Sequence, residues 1–468
     1  MESFLQNKIY PHLPVALQNL AFSVYGYAWK HRRFGGDFID ELKGFESRER
    51  FTVEQWYEFQ QMELRKLLLH AHKNVAYYTE VFRSIGLTEY DIAKFELKDL
   101  PKIPMLSKDT LRKYGTTTLV AKSPSKGHKF FTSSGSTGTP VKILFSYKTD
   151  QKWQAAYERR CRNWAGVNRN DSRAMIGGRK IVFGNPAKPP FHRVNFAENQ
   201  IYLSIYHLSK QNFKWYYHAL KEHAPVYLVG YSASISLLAR NMLDLGLPPI
   251  KLKAVIGSSE KLTDSMKAVI SKAFDCPVYD SWSGIEACAL VTEHRDGNLY
   301  ESPDAGIIEF LDRHHKPVDY GTEGEMICTG LINYDQPLIR YRIGDLAVPL
   351  APNTGMNEIQ MPKIKEIVGR TDDIITLRDG RQLSSFNRFF AEIDGIKEVQ
   401  VIQIDLDHFQ LNLVTEVNGD KEVKEKVLAS IQSRLGKVHV DFRELPEIKR
   451  MANGKFRAVI SHVKRNES

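Results

Sequence analysis

Lys129-Phe130-Phe131-Thr132-Ser133-Ser134-Gly135-Ser136-Thr137-Gly138-Thr139-Pro140-Val141-Lys142 is a hydroxyl- and glycine-rich stretch set between two apolar runs. It reads as a phosphate-holding loop between two strands. Hydroxyls at Thr132, Ser133, Ser134, Ser136, Thr137 and Thr139 surround Gly135 and Gly138. Backbone N–H and side-chain O–H groups can therefore converge on anionic oxygens with no Cβ in the way. Lys142 adds a cation just downstream. The pattern is not a Walker loop, because no Gly-Lys pair followed by Ser or Thr closes it and a strand rather than a helix is expected next. A Ser/Gly/Thr run alone also fits a surface turn, so its meaning depends on the rest of the chain.

Beyond the loop, strand-like runs at 226–229 and 254–256 alternate with amphipathic helices predicted over 232–245 and 264–274, which argues for layered α/β structure. Upstream, residues from about 50 to 114 read as helical, with Trp56, Phe59, Leu64, Leu67, Leu68 and Ala71 at helical spacing. After Ile307 the chain turns strand-rich through 324–328 and reaches Gly369-Arg370-Thr371-Asp372-Asp373, where a domain boundary is expected. Strands near 399–404 and 410–416, a helix over 421–435 and a strand at 439–443 then predict a small α+β domain. The expected division is an N-terminal helical module (1–114) packed on a large domain (115–369), and a small domain from 370 to 468. There is no internal repeat or low-complexity tract.

At 468 residues the chain has room for two to three domains, and 42% hydrophobic with 26% charged residues excludes wholesale disorder. A net charge of +10 suits nucleotides, CoA or an acidic membrane surface, and equally serves solubility. Lys and Arg are dispersed and no RRM, zinc-finger or helix-turn-helix signature occurs, so no nucleic-acid partner is expected. Cys161, Cys276, Cys288 and Cys328 form no Cys-x-x-Cys pair, which points to a reducing cytoplasm. The N-terminus lacks the features of a secretory signal. The apolar stretch 13–29 is broken by Pro14, Gln18, Asn19 and Ser23 and is short for a transmembrane span. It is expected to pack against the main body, with peripheral membrane contact as the alternative. Cys276, Cys288 and His294 have no zinc spacing, and His314-His315 falls in a polar turn. Without a Gly-x-Ser-x-Gly elbow or a His-Glu-x-x-His helix, hydrolase and metalloprotease chemistry has no starting residue.

Four further segments follow the loop in order: Tyr279-Asp280-Ser281-Trp282-Ser283-Gly284-Ile285-Glu286, Tyr341-Arg342-Ile343-Gly344-Asp345, Gly369-Arg370-Thr371-Asp372-Asp373 and Asn453-Gly454-Lys455. Together they resemble the adenylate-forming ligase superfamily over about residues 50–460. The helical module, the Ser133–Gly138 form of the loop and Gly230-Tyr231-Ser232-Ala233 are similar to its phenylacetate-CoA ligase-like branch, which includes members associated with capsule polysaccharide biosynthesis. The resemblance implies an α/β fold, with a large layered adenylation domain and a small mobile C-terminal lid. It also implies activation of a carboxylic acid by ATP to an acyl-adenylate, release of pyrophosphate, and acyl transfer, with CoA as the favoured acceptor and Mg²⁺ as the metal.

By the same resemblance, Ser133, Ser134, Gly135, Ser136, Thr137, Gly138 and Thr139, with Lys142, would hold the β and γ phosphates. Glu286 would take Mg²⁺ with a hard oxygen, Asp345 would accept from the ribose diol, and Arg370 would support the ribose. Gly257-Ser258-Ser259-Glu260 would flank the adenine, Asp280, Ser281 and Trp282 would line the nucleotide, and Tyr231 and Trp282 would line the acyl pocket. Lys455 would stabilise charge as the carboxylate attacks phosphorus, and Asp372 would be the hinge. Plainer readings exist for each group: a salt bridge for Glu286, turn residues for Asp345, Arg370 and Asp372, helix caps for Ser258 and Thr263, core aromatics for Tyr231 and Trp282, and a solvated lysine for Lys455.

The chain departs from the family at Ile285 and Ile343, where hydroxyl residues are usual, and at Ser232, where Pro is frequent. The charged residues Glu286, Asp345, Arg370 and Lys455 all remain, which favours activity. Two alternatives stay open: acyl transfer to an amine or hydroxyl of a sugar or carrier, and a nucleotide-binding scaffold without turnover.

Overall fold

Among the described residues, six α-helices precede the first strand: α1 (Val15–Phe34), α2 (Phe38–Ser47), α3 (Val53–Asn74), α4 (Ala76–Ser84), α5 (Glu89–Lys94) and α6 (Lys108–Tyr114). Thr52 and Gln55 start α3 with a reciprocal capping box, and its Trp56, Leu64, Leu67, Leu68 and Ala71 form one buried stripe at helical spacing. The structure is a computed structural model that describes residues 9–133, 140–183, 188–355, 358–370, 375–376, 378, 382–383, 390, 393–416, 421–436, 438–451 and 454–463.

Strands β1 (Lys129–Thr132) and β2 (Lys142–Phe145) pair antiparallel with Thr132 opposite Lys142. Ser133 closes the base of this hairpin twice: its N–H donates to Val141 O (2.9 Å), and its Oγ accepts from Val141 N–H (3.0 Å). Helix α7 (Tyr147–Tyr157) follows, capped by Ser146.

The centre is a sheet of β3 (Arg173–Gly177), β4 (His192–Asn195), β5 (Gln200–Ser204), β6 (Tyr227–Tyr231), β7 (Ala254–Ser258), β8 (Val278–Ser283), β9 (Leu290–Glu293), β10 (Leu299–Glu301), β11 (Gly306–Leu311), β12 (Gly324–Gly330), β13 (Tyr341–Leu350) and β14 (Lys363–Arg370). Among the described residues their order is β11-β12-β13-β14-β10-β9-β8-β7-β6-β3-β5-β4. β5, β3, β6, β7 and β8 run parallel. Parallel neighbours need crossovers, supplied by α8 (Phe213–His223), α9 (Ser232–Asp244) and α10 (Asp264–Phe274). Alternation along the strands buries both faces: Leu228 and Val255 pack with Leu220, Leu238 and Phe274, whereas Tyr227, Ala254 and Ile256 pack with Cys161, Ala165 and Val167. Gly230 has φ +154°, and a Cβ there would lie 1.9 Å from Ile176 O, so only glycine lets β6 pass β3 at this point.

The chain folds as two compact units, Met1–Ile343 with Val348–Glu366, and Gly344–Ala347 with Ile367–Ser468. In the second unit, β15 (Ile375–Thr376) pairs with β16 (Gln382–Leu383), and a separate sheet has the order β19-β18-β17-β20. Its strands are β17 (Ile396–Gln403), β18 (His408–Thr415), β19 (His439–Glu444) and β20 (Val459–Ser461). α11 (Lys421–Leu435) supplies Val427 and Ile431 to a core with Val401, Phe409, Leu411 and Val459. The chain is thus α/β with a small α+β C-terminal domain. All four cysteines are free and buried, and among the described residues no helix is long and apolar enough to cross a membrane.

Candidate active site

In open α/β sheets ligands gather beyond the carboxyl ends of parallel strands. Here that edge is formed by Gly177, Tyr231, Ser258 and Ser283. Three serine hydroxyls tie the segments leaving it. Ser281 Oγ donates to Gly257 O (2.9 Å), Ser258 Oγ to Gly230 O (3.3 Å) and Ser232 Oγ to Glu260 O (3.3 Å). Glu260 Oε2 accepts from Ala233 N–H (3.0 Å), placing a carboxylate against the positive end of α9. The structure therefore gives Glu260 a capping task at α9, while Thr263 caps α10 and Ser258 caps neither helix. Ser259 adopts a left-handed conformation (φ 66°) that turns the loop between Gly257 and Glu260. Tyr231 stands at the start of α9 half-buried, and burial, with Tyr202 and Glu260 nearby, pushes its phenol up to about 12.

Glu286 leaves the same edge just after β8. It is buried, and its Oε1 accepts from the hydroxyl of Tyr341 (3.2 Å), a fully buried residue that begins β13. Gly284 leaves the space this carboxylate occupies, since a Cβ there would lie 2.4 Å from Glu286 Oε2 and 3.4 Å from Ile343 Cδ1. Ile343, one of the two apolar departures, is buried beside this pair; Ile285 is half-buried. Trp282 is half-buried and opposite Val291 of β9, which in turn is opposite Glu301 of β10. Burial pushes Glu301 up to about 8, so this row across the sheet carries a neutral acid at pH 7.

Asp280 stands in β8 two positions before Trp282. Its N–H donates to Glu293 Oε2 (2.8 Å), whose carboxylate also holds Lys267 Nζ (2.7 and 2.8 Å). Desolvation raises Asp280 to about 7; Lys267 opposes this, and Glu293 adds to it. An acid that titrates higher in the folded chain binds its proton more tightly there, so its contribution to stability falls as pH rises from about 4 to about 7 and the penalty stays in full above that. Asp280→Asn is expected to raise stability by about 2 kcal/mol at pH 8 and to give little at pH 4, measured as a pH series of urea midpoints.

In the C-terminal unit, Arg370 Nη1, at the end of β14, lies 3.4 Å from Asp345 Oδ1, midway along β13. Asp345 is largely buried, and Gly344 before it has φ +82°. Lys455 is half-buried and closes a turn through its backbone: its carbonyl accepts from Met451 N–H (2.9 Å), and Gly454 N–H donates to Met451 O (2.8 Å). Gly454 supplies the φ of +78° that this turn needs. Arg450 pairs with Glu398 and lies over the Phe456 ring (4.7 Å), tying both limbs of the turn to β17.

The structure thus gathers Tyr231, Gly257, Ser258, Ser259, Glu260, Ser281, Trp282 and Glu286 at one sheet edge. Ser133 and the exposed Lys142 flank the hydroxyl-rich loop. Ser134, Gly135, Ser136, Thr137, Gly138, Thr139 and Asp372 lie outside the described residues. Sequence reasoning missed Tyr341 as the partner of Glu286. The tyrosine heads the quoted motif, but a hydroxyl reaching back 55 positions has no local signal.

A family model described as the CapK C-terminal domain matches residues 378–462. The chain is 30% identical to Protein CapK of Staphylococcus aureus over 469 residues, covering 98% of this chain and 100% of that protein. It is 24% identical to phenylacetate-coenzyme A ligase of Aromatoleum evansii over 332 residues, covering 69% and 72% of the two. In fold it is similar to 2-hydroxyisobutyryl-CoA ligase, solved in the postadenylation state with R3-HIB-AMP, at TM-score 0.70 and 18% identity over 88% of this chain and 91% of that one. The fold is therefore that of the adenylate-forming ligases. The chain belongs to their phenylacetate-CoA ligase-like family, in the group that includes CapK.

Proposed function

We propose that this protein activates a carboxylic acid with ATP and passes the acyl group to the thiol of CoA. In the first step a carboxylate oxygen forms a bond to the α-phosphorus, the bond to pyrophosphate breaks, and the acyl-adenylate remains. In the second the thiolate adds to the acyl carbon, AMP leaves, and the thiol proton goes to solvent.

The observation that carries the reading is the buried Glu286 carboxylate, clasped by Tyr341 and spared a Cβ by Gly284 at the carboxyl edge of the parallel strands. A hard, anionic oxygen in such a cradle fits Mg²⁺, which would supply charge neutralisation for the departing phosphates. The hydroxyl-rich loop from Ser133 to Thr139, with Lys142, would bind those phosphates. Gly257 to Ser259 and Trp282 would hold the base, with Glu260 fixing the loop through α9. Asp345, oriented by Arg370, would accept from the ribose hydroxyls. Ile285, Ile343, Tyr231 and Trp282 would keep the site dry, which protects a mixed anhydride from hydrolysis. Lys455 would meet the α-phosphate during adenylation. In this reading the domains divide as 1–114, 115–369 and 370–468, the last pivoting at residues 370–373 around Asp372. Four free, buried thiols suit a reducing cytoplasm.

A second acceptor, an amine or hydroxyl of a sugar or carrier, is favoured by one observation. The likeness to phenylacetate-CoA ligase covers 69% of the chain, whereas that to CapK covers 98% and includes the C-terminal domain. The acceptor is tested by incubating protein, ATP, Mg²⁺ and an activated acid with CoA or with an amino sugar. Thioester and AMP formed in equal amounts support CoA; AMP release that responds only to the amino sugar transfers the reading to the second acceptor.

A further inference from the structure

Helix α1 is amphipathic in the opposite sense from a core helix. The side toward the body carries Gln18, Phe22, Ser23, Gly26 and Arg32. Ser23 Oγ accepts from Phe196 N–H (3.0 Å), Asn19 Oδ1 accepts from Val194 N–H (3.0 Å), and Gln18 Oε1 accepts from Arg193 Nε (2.6 Å). The outer side carries Leu17, Leu20, Val24 and Tyr27, which are 47%, 57%, 65% and 60% exposed, with exposed Ala21 between Leu20 and Val24 and exposed Ala28 next to Tyr27. Their 3-4-3 spacing makes one continuous apolar row about 15 Å long. A second apolar segment lies against the same helix. Phe196, in the turn between β4 and β5, is anchored to α1 through Ser23 and is 70% exposed. Lys30 Nζ holds the next residue of that turn at Ala197 O (3.1 Å).

Charge along the helix itself is one-sided. α1 contains no acidic residue, and Lys30 and His31 are exposed near its end. Lys129 Nζ lies over the Trp29 ring (4.0 Å), and the exposed Arg179 lies over Tyr25 (5.2 Å). The nearby carboxylates Asp150 and Glu198 are buried in pairs with Arg32 and with Arg33 and Arg173. Among the described residues, the exposed acids Asp37 and Asp40 follow the end of the helix, and the exposed Glu222 acts on His192 of β4.

We infer that α1 and the Phe196 turn form a docking surface for an anionic lipid bilayer, on which the helix lies flat with its apolar row among the acyl chains. A bilayer offers apolar depth and phosphate charge together and demands no shape complementarity. A second copy fits less well, since one helix face falls short of the roughly 800 Å² per partner of a stable dimer and two copies of a +10 chain would meet cation to cation.

The test is flotation of the full-length protein with phosphatidylglycerol-containing vesicles and with pure phosphatidylcholine vesicles, using wild type, Leu20→Asp/Val24→Asp and Phe196→Ser. Wild type is expected to float with the anionic vesicles and to lose binding as salt is raised. The double variant should bind at least tenfold more weakly and Phe196→Ser about tenfold more weakly, with circular dichroism unchanged because these side chains are exposed. Wild type that floats with neither vesicle, or equally with both, overturns the inference. So does wild-type binding by Phe196→Ser, or a dimer in sedimentation that the double substitution dissolves while flotation is absent.

Discussion

Lys455→Ala is expected to reduce acid-dependent exchange of pyrophosphate into ATP by about a hundredfold to a thousandfold. As carboxylate attacks phosphorus, negative charge concentrates on the phosphoryl oxygens, and an ammonium placed there stabilises the transition state more than the separated reactants. The turn that presents Lys455 is closed by its backbone carbonyl, so alanine should leave the C-terminal domain folded. The loss should also be selective. Thioester formation from chemically prepared acyl-adenylate makes no new bond to phosphorus and should stay within a few-fold of wild type. Equal loss in both half-reactions would assign Lys455 to folding or to general nucleotide binding instead.

The second large effect is expected at Glu286. Glu286→Gln keeps the shape and keeps an oxygen for the Tyr341 hydroxyl, so stability should change by no more than about 1 kcal/mol. Exchange should nevertheless fall by about a hundredfold, and the Mg²⁺ concentration for half-maximal rate should rise, because the lost charge is the one offered to the metal. A variant with reduced rate but unchanged Mg²⁺ dependence would remove Glu286 from metal binding. One that unfolds would show that the buried carboxylate serves the junction with β13.

Helices 264–274 and 421–435 are legible in the sequence because apolar residues recur there at helical spacing, and at 264–274 the Thr263 cap agrees with it. The strand read as 226–229 runs on to Tyr231, because Gly230 looks like a turn residue in sequence but stays paired with Ile176 and Gly257. The motifs locate Glu286 and Asp345. They do not reveal Tyr341 behind Glu286 or Glu260 at the start of α9, since these contacts join segments that only the sheet brings together. Residues 13–29 are expected to pack on the body because they are apolar. α1 does pack there, through Phe22 and also through Gln18, Asn19 and Ser23, which satisfy Arg193 and the strand backbone, while leucine and valine face outward. Composition cannot tell which side of an amphipathic helix is buried when the body offers polar partners.

The central claim is tested most directly by exchange of labelled pyrophosphate into ATP with the wild-type protein, across aryl, fatty and sugar acids in the presence of Mg²⁺. The expected result is exchange that requires one class of acid and vanishes without Mg²⁺. Tight ATP binding with no exchange for any acid would contradict it, and would leave the protein as a nucleotide-binding scaffold.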